Sequence, residues 1–206
     1  MIILAVSTSA KIPSAALLLA DGTVIGMEDR TGQPHSVSLM PMIDELLAEP
    51  KLSLADVDCF AVDVGPGSFT GVRIGVSAVN AMAFAANKPI IPVCSLSALR
   101  HIASVEDEVV CCLLDARNGN GYAAVFNGDS CVLEPSACIQ REVLGSLAEG
   151  ARLVGDCLGG NDQSNAELVL AEAQFILETL PEQCAKKPAV PMYLRPSQAE
   201  RMKKSE

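Results

Sequence analysis

The sequence predicts an α/β protein of two lobes, each a mixed sheet carrying helices. Three observations predict it. Short apolar strands alternate with segments of helical period. A three-strand meander opens the chain, closed by Asp21-Gly22 as a hairpin signal. The pattern then restarts about a hundred residues later, which marks a duplicated unit even though residue identity between the copies is slight. Residues 1–103 form the N-terminal lobe and 104–206 a shorter C-terminal lobe, with the boundary near 103 to 108.

The elements follow in order. IILAVS, SAALLLA and TVIGMED are strands of the opening meander. HSVSLMPMIDELLA, residues 35 to 48, places His35, Leu39, Met42, Ile43 and Leu46 on one helical stripe. Pro41 inside it predicts an irregular start or a kink, because proline removes a backbone donor. CFAVDV is a continuous apolar strand of the kind covered on both faces. After Gly65-Pro66-Gly67, Ser68 is a good N-cap for a helix from Phe69 to Ala86. PIIPV is a second buried strand, and SLSALRHIA a short helix. In the second unit, EVVCCLLDA, GYAAVF and CVLEP are strands, with Asn127-Gly128 repeating the hairpin signal. A helix near 141 to 148, the strand RLVGD and a helix within 164 to 180 complete it, and the tail from Pro191 packs back on one of the lobes.

Composition narrows the function. The chain has 206 residues, half of them apolar, which is ample for a core. A formal net charge of −10, with no basic run before the terminal RMKKSE, excludes the positive face that free nucleic-acid binding requires. MIILAVS is too short for a secretory leader, so the expected compartment is the reducing cytoplasm. The eight cysteines contain no C-x-x-C pair and only two histidines accompany them, which favours buried thiols over zinc. No apolar run approaches the ~20 residues of a membrane span.

VDVGPGSFTGVRIG, residues 62 to 75, invites comparison with phosphate cradles. A P-loop needs a lysine after its last glycine, but Val72 and Arg73 follow Gly71. A dinucleotide fingerprint needs its third glycine where Thr70 stands. A nucleophile elbow around Ser68 would need glycines at Pro66 and Thr70. What remains is a tight turn with a capping serine. Between Phe69 and Asn87 the only charged side chain is Arg73, while Gly71, Gly75, Ala78, Ala81 and Ala85 keep the helix narrow. Such a helix is either enclosed by its own protein or covered by a partner, and two in so short a chain favour the partner.

HSVSLMPMIDELL, VGPGSFTGVRIGVSAVNAMAFA, PIIPVCSLSAL and LLDARNGNGYAAVF, in this order and spacing over the first 126 residues, resemble the TsaB (YeaZ) family. The family comprises bacterial subunits of the machinery that makes threonylcarbamoyladenosine at position 37 of tRNA. Beyond residue 126 only PMYLR matches well. The resemblance implies two RNase H-like, actin-like ATPase lobes and a non-catalytic role beside the catalytic sister subunit TsaD. TsaD binds a metal through H-x-x-x-H; here the pair falls on Ser95 and Leu99, so no metal site is expected, and His101 is taken as an ordinary helix residue. Relatives often show I-D-T after the first strand. This chain has Val6-Ser7-Thr8, which lacks the carboxylate that organises magnesium. Asp115 is the nearest remaining acid of that kind.

The same resemblance implies an interface with TsaD, or with a second copy when the chain is alone, formed by the two helices. Its residues would be His35, Leu39, Met42, Ile43, Leu46, Phe69, Val72, Arg73, Val76 and Asn80. Gly65, Pro66, Gly67 and Ser68 would lie near a nucleotide, ATP or ADP, held at the joint, with no cofactor intrinsic to the chain. A TsaE-like ATPase is a further expected partner, and tRNA is reached only through the complex. Glutamate at Leu39 or Val76 is then expected to weaken assembly and leave the fold intact. The competing reading, from the duplicated lobe and the glycine turn, is an independent ATP-dependent phosphotransferase of the sugar-kinase type. A peptidase lacks both a metal constellation and a nucleophile with an evident base.

Overall fold

A computed structural model of the chain describes residues 1–102, 109–146, 151–155 and 165–195. The predicted boundary at 103 to 108 and the residues after 195 lie outside these. The N-terminal sheet contains β1 (Ile3–Ser7), β2 (Ser14–Leu18), β3 (Val24–Glu28), β4 (Cys59–Gly65) and β5 (Ile90–Cys94), in the spatial order β3-β2-β1-β4-β5. β1 is antiparallel to β2 and parallel to β4, and β4 is parallel to β5, so the sheet is mixed. The second sheet orders β6 (Val109–Asp115), β7 (Asn120–Asn127), β8 (Ser130–Ile139) and β9 (Arg152–Val154) as β8-β7-β6-β9. Among the described residues it repeats the first sheet without a fifth strand. Both lobes are RNase H-like.

Period-two alternation along the central strands assigns their side chains to two cores. Leu4, Val6, Phe60, Val62 and Val64 enter one, shared with α1 (His35–Ala48) and α2 (Phe69–Ala86). Ile3, Ala5, Cys59 and Ala61 enter the other, shared with α3 (Ser95–Leu99) and α5 (Asn165–Thr179). This explains why β1 and β4 read as unbroken apolar runs: each faces helices on both sides. The second core continues through Val110, Cys112, Ala124 and Phe126 of the other sheet, so the two lobes share it.

Packing departs from the partition at residue 103. α5 lies in the C-terminal half of the sequence but packs on β1, β2, β4 and β5, whereas α3 touches β6 and β7 as well as β4 and β5. α4 (Gln140–Ser146) sits against β7 and β8. The tail also returns to the first lobe. Ala185 exchanges backbone hydrogen bonds with Ile90, Ala189 exchanges two with the Asn80 amide, and the Met192 N–H donates to the Val64 carbonyl.

Local signals explain the helix ends. Ser68 Oγ accepts from the Gly71 N–H at 3.2 Å, and α2 ends at Asn87, whose φ of 55° is the left-handed stop. α1 runs as one unbroken helix through Pro41 from an N-cap at Pro34. At 18 residues α2 is long and apolar enough by composition to cross a membrane, contrary to the sequence expectation. Its buried side, however, is spent on the sheet through Val72, Val76, Val79 and Met82.

Candidate functional site

The glycine turn, the ends of the central strands and the N-termini of α3 and α5 converge on a cleft of about 160 Å³ between the lobes. Pro66, Gly67 and Ser68 line it with Ser9, Asp63, Ser95, Asp115 and Asn165, whereas Gly65 does not. Gly65 instead turns the chain at φ +97° beside the Met192 carbonyl.

Asp63 is the centre of this cleft and the residue that sequence reasoning missed. It is 2% exposed. Oδ2 accepts from the Ser7 hydroxyl at 2.7 Å and the Ser9 hydroxyl at 2.5 Å; Oδ1 accepts from the Ser95 hydroxyl at 2.5 Å and the Gly65 N–H at 2.9 Å. A carboxylate buried without a cation requires such donors, because it loses hydration worth several kcal/mol. The available signal was a lone acid in an otherwise apolar strand, immediately before the turn. Its position also corrects the expectation built on Val6-Ser7-Thr8: a neighbouring strand supplies a carboxylate 2.7 Å from Ser7. That carboxylate is occupied by hydroxyls.

Thr8 has a separate task. Its hydroxyl donates to the Gly71 carbonyl at 2.7 Å and accepts from the Gly75 N–H at 3.1 Å, while the Ser68 N–H reaches the Ser9 carbonyl at 2.7 Å. A Cβ at Gly71 would stand 2.0 Å from the Thr8 carbonyl oxygen, and one at Gly75 2.4 Å from its hydroxyl. The narrowness of α2 therefore admits the chain's own β1–β2 turn. It is not evidence for a partner's backbone.

Asp115 accepts from the Arg117 N–H and the Gln140 side chain, each at 2.7 Å, which orders the turn after β6. At the two positions where the resemblance aligns metal-binding histidines, Ser95 is committed to Asp63 and Leu99 is buried. Among the described residues no three His, Cys, Asp or Glu side chains gather as metal ligands. His101 is more than an ordinary helix residue: its Nε2 lies 2.7 Å from Glu172, which also takes the Arg100 Nε at 3.2 Å. Arg100 reaches Asp129 at 3.2 Å and stacks 4.2 Å from the Phe175 ring.

The predicted interface residues divide sharply. Leu39 (1% exposed), Met42, Ile43, Leu46, Val72 and Val76 (3% exposed) are all buried in the core beneath α1 and α2. They face the sheet, so the stripe chosen from the sequence is the inward one, and glutamate at Leu39 or Val76 would break the fold. His35 is half-buried, 3.2 Å from the Lys11 carbonyl. Phe69, Arg73 and Asn80 meet the chain's own tail: the rings of Phe69 and Tyr193 stack with centroids 4.7 Å apart, and the Arg73 Nε donates to the Tyr193 hydroxyl at 2.7 Å. The outward side of the two helices carries Val37, Met40, Asp44, Glu45, Ser77 and Phe84 among its exposed residues instead.

Known proteins agree with this architecture. Residues 29–152 match the family described as TsaD: tRNA N6-adenosine threonylcarbamoyltransferase. The chain is 38% identical over 122 residues to the tRNA threonylcarbamoyladenosine biosynthesis protein TsaB of Haemophilus influenzae, covering 58% of this chain and 51% of that protein. With TsaB of Bacillus subtilis it shares 32% identity over 149 residues, 72% of this chain and 65% of the relative. The chain thus spans about half to two thirds of the length of these relatives. The solved structure of YeaZ from Pseudomonas aeruginosa superposes with a TM-score of 0.76 at 26% identity, covering 94% of this chain and 99% of that one. Matching sequence, matching fold and the two-sheet topology together establish that this chain belongs to the TsaB/YeaZ family of tRNA threonylcarbamoyladenosine biosynthesis proteins.

Proposed function

We propose that this chain is a non-catalytic subunit in the transfer of threonylcarbamoyl to adenosine 37 of tRNA, and that it acts by docking a TsaD-like catalytic subunit. The observation that carries the reading is the outward face of α1 and α2. Phe84 is 89% exposed, Val37 55% and Met40 40%; α2 adds Thr70, Ser77, Ala81 and Ala85 beside the cation Arg73, and α1 adds the acids Asp44 and Glu45. Water gains little from such a face, and a second protein would remove it from solvent. Docking energy spent on one conformation of the partner biases it toward that conformation.

The reading includes a TsaE-like ATPase in the assembly, tRNA contacts made through the other subunits, and pairing of two copies through the same face when the chain is alone. An ATP or ADP would sit at the joint with the catalytic subunit. The test mixes the chain with its cognate TsaD-like and TsaE-like subunits, ATP and tRNA, and measures both association and threonylcarbamoyl transfer. Phe84→Glu and Met40→Glu are expected to weaken association at least tenfold and to lower transfer in step. Transfer that is indifferent to the chain, or turnover by the chain alone, defeats the proposal.

A further inference from the structure

Cys59 opens β4 on the inner face of the N-terminal sheet, and Cys184 follows the turn Pro181–Gln183 that ends α5. Their sulfurs are 3.5 Å apart, although the residues are 125 positions apart in sequence. A disulfide needs about 2.05 Å, so an approach of about 1.5 Å by two side chains closes it. The backbone already holds the register. Phe60 pairs with Ile90, and Ile90 exchanges hydrogen bonds with Ala185 at 2.9 and 3.3 Å, so the two cysteines flank a fixed pairing at the same end of the sheet.

We propose that Cys59 and Cys184 form an oxidisable pair whose disulfide fastens the C-terminal strap, residues 184–193, to the N-terminal sheet. The strap is the segment that holds Asn80, Val64, Phe69 and Arg73 through Ala189, Met192 and Tyr193. In the reduced chain its inner end is tied by the Ile90–Ala185 pairing, by the Lys186 ammonium donating to the Asn87 side chain at 3.2 Å, and by apolar contact. Burial, and then the neighbouring Cys184 thiol, push the Cys59 thiol above its ordinary range, so the half-buried Cys184 reacts first.

A small-molecule disulfide such as oxidised glutathione supplies the oxidant. The Cys184 thiolate attacks one of its sulfurs, forming a mixed disulfide and releasing one glutathione thiolate. Cys59 then attacks the Cys184 sulfur and releases the second. The two protein thiols lose two protons and two electrons, and both glutathione thiolates become thiols.

The test incubates the full chain with oxidised glutathione, blocks remaining thiols with iodoacetamide in denaturant, and maps peptides by mass spectrometry. Cleavage after Glu182 and Lys186 separates Cys184 from Cys157. The expected product joins the Cys59 and Cys184 peptides and is two hydrogens lighter than their sum. It raises Tm by roughly 5–10 °C, because the link closes a long loop, and dithiothreitol reverses the rise. Cys184→Ser lies at a half-buried position, keeps the Tm of the reduced chain and abolishes both effects. Recovery of both cysteines alkylated, Cys184 stopped as a mixed disulfide with glutathione, or Cys184 joined to a different cysteine overturns the proposal.

Discussion

Two helical layers flank the same N-terminal sheet and differ in what lies on their far sides. α3 sits between this sheet and the second one, and α5, packed on this sheet and on α3, shares the apolar core that runs between them. α1 and α2 have the sheet on one side and on the other a partly apolar surface whose charges are Asp44 and Glu45 of α1 and Arg73 of α2. Charge content alone does not separate the layers: α5 carries Glu167, Glu172 and Glu178, more charge than α2, yet it is the enclosed helix. Low charge thus marks neither core nor interface by itself. Which stripe the sheet occupies decides which residues are left over for another protein.

The largest effect is expected in the enclosed layer. Arg100→Ala takes the guanidinium from the buried Glu172 carboxylate, leaving it beside His101, and removes the stack on Phe175, a loss on the order of 3–5 kcal/mol in urea unfolding. A smaller loss would mean that His101 or water satisfies Glu172, and that the enclosed layer is wetter than its burial indicates. Leu39→Ala comes next, at about 3 kcal/mol, from the buried side of the outer layer. If it left stability unchanged and weakened association, the two sides of α1 would be exchanged relative to this structure.

Much of the architecture was legible because strand and helix periods differ and the turns carry their own chemistry. The bounds of α1 and α2, the capping by Ser68, the two hairpins and the duplication all follow from local pattern. What was not legible depends on contacts far apart in sequence. The inward stripe of α1 is apolar whether it meets a sheet or a partner, so hydropathy could not tell Leu39 as core from Leu39 as interface. The crossing of α5 onto the N-terminal sheet is likewise invisible, since nothing local in NAELVLAEAQFILET states which sheet it covers. Asp63 differs in kind. Its charge inside an apolar strand was a readable anomaly, and only the three serines that converge on it give it meaning.

Gly71→Ala tests where the outer layer meets the turn after β1. The added methyl would press on the Thr8 carbonyl, which is backbone and yields little, so a loss of about 1–3 kcal/mol is expected in thermal unfolding. Association should fall only as far as the folded fraction does. A neutral result for stability with impaired association would return the small residues of α2 to the partner-facing role.

The smallest effect on the monomer, and the sharpest division between the layers, belongs to Phe84→Glu. At 89% exposure its ring touches little of its own chain, so replacing it should change unfolding free energy by no more than about 0.5 kcal/mol. The same substitution puts a charge on the open face at the last turn of α2, where burial against another protein would leave it unpaired. Stability held constant while sedimentation and pull-down both report lost association is the signature of a surface kept apolar for a partner. Stability and association that both hold constant would make Phe84 an incidental exposed ring. The comparison between layers would then rest on Val37 and Met40 alone.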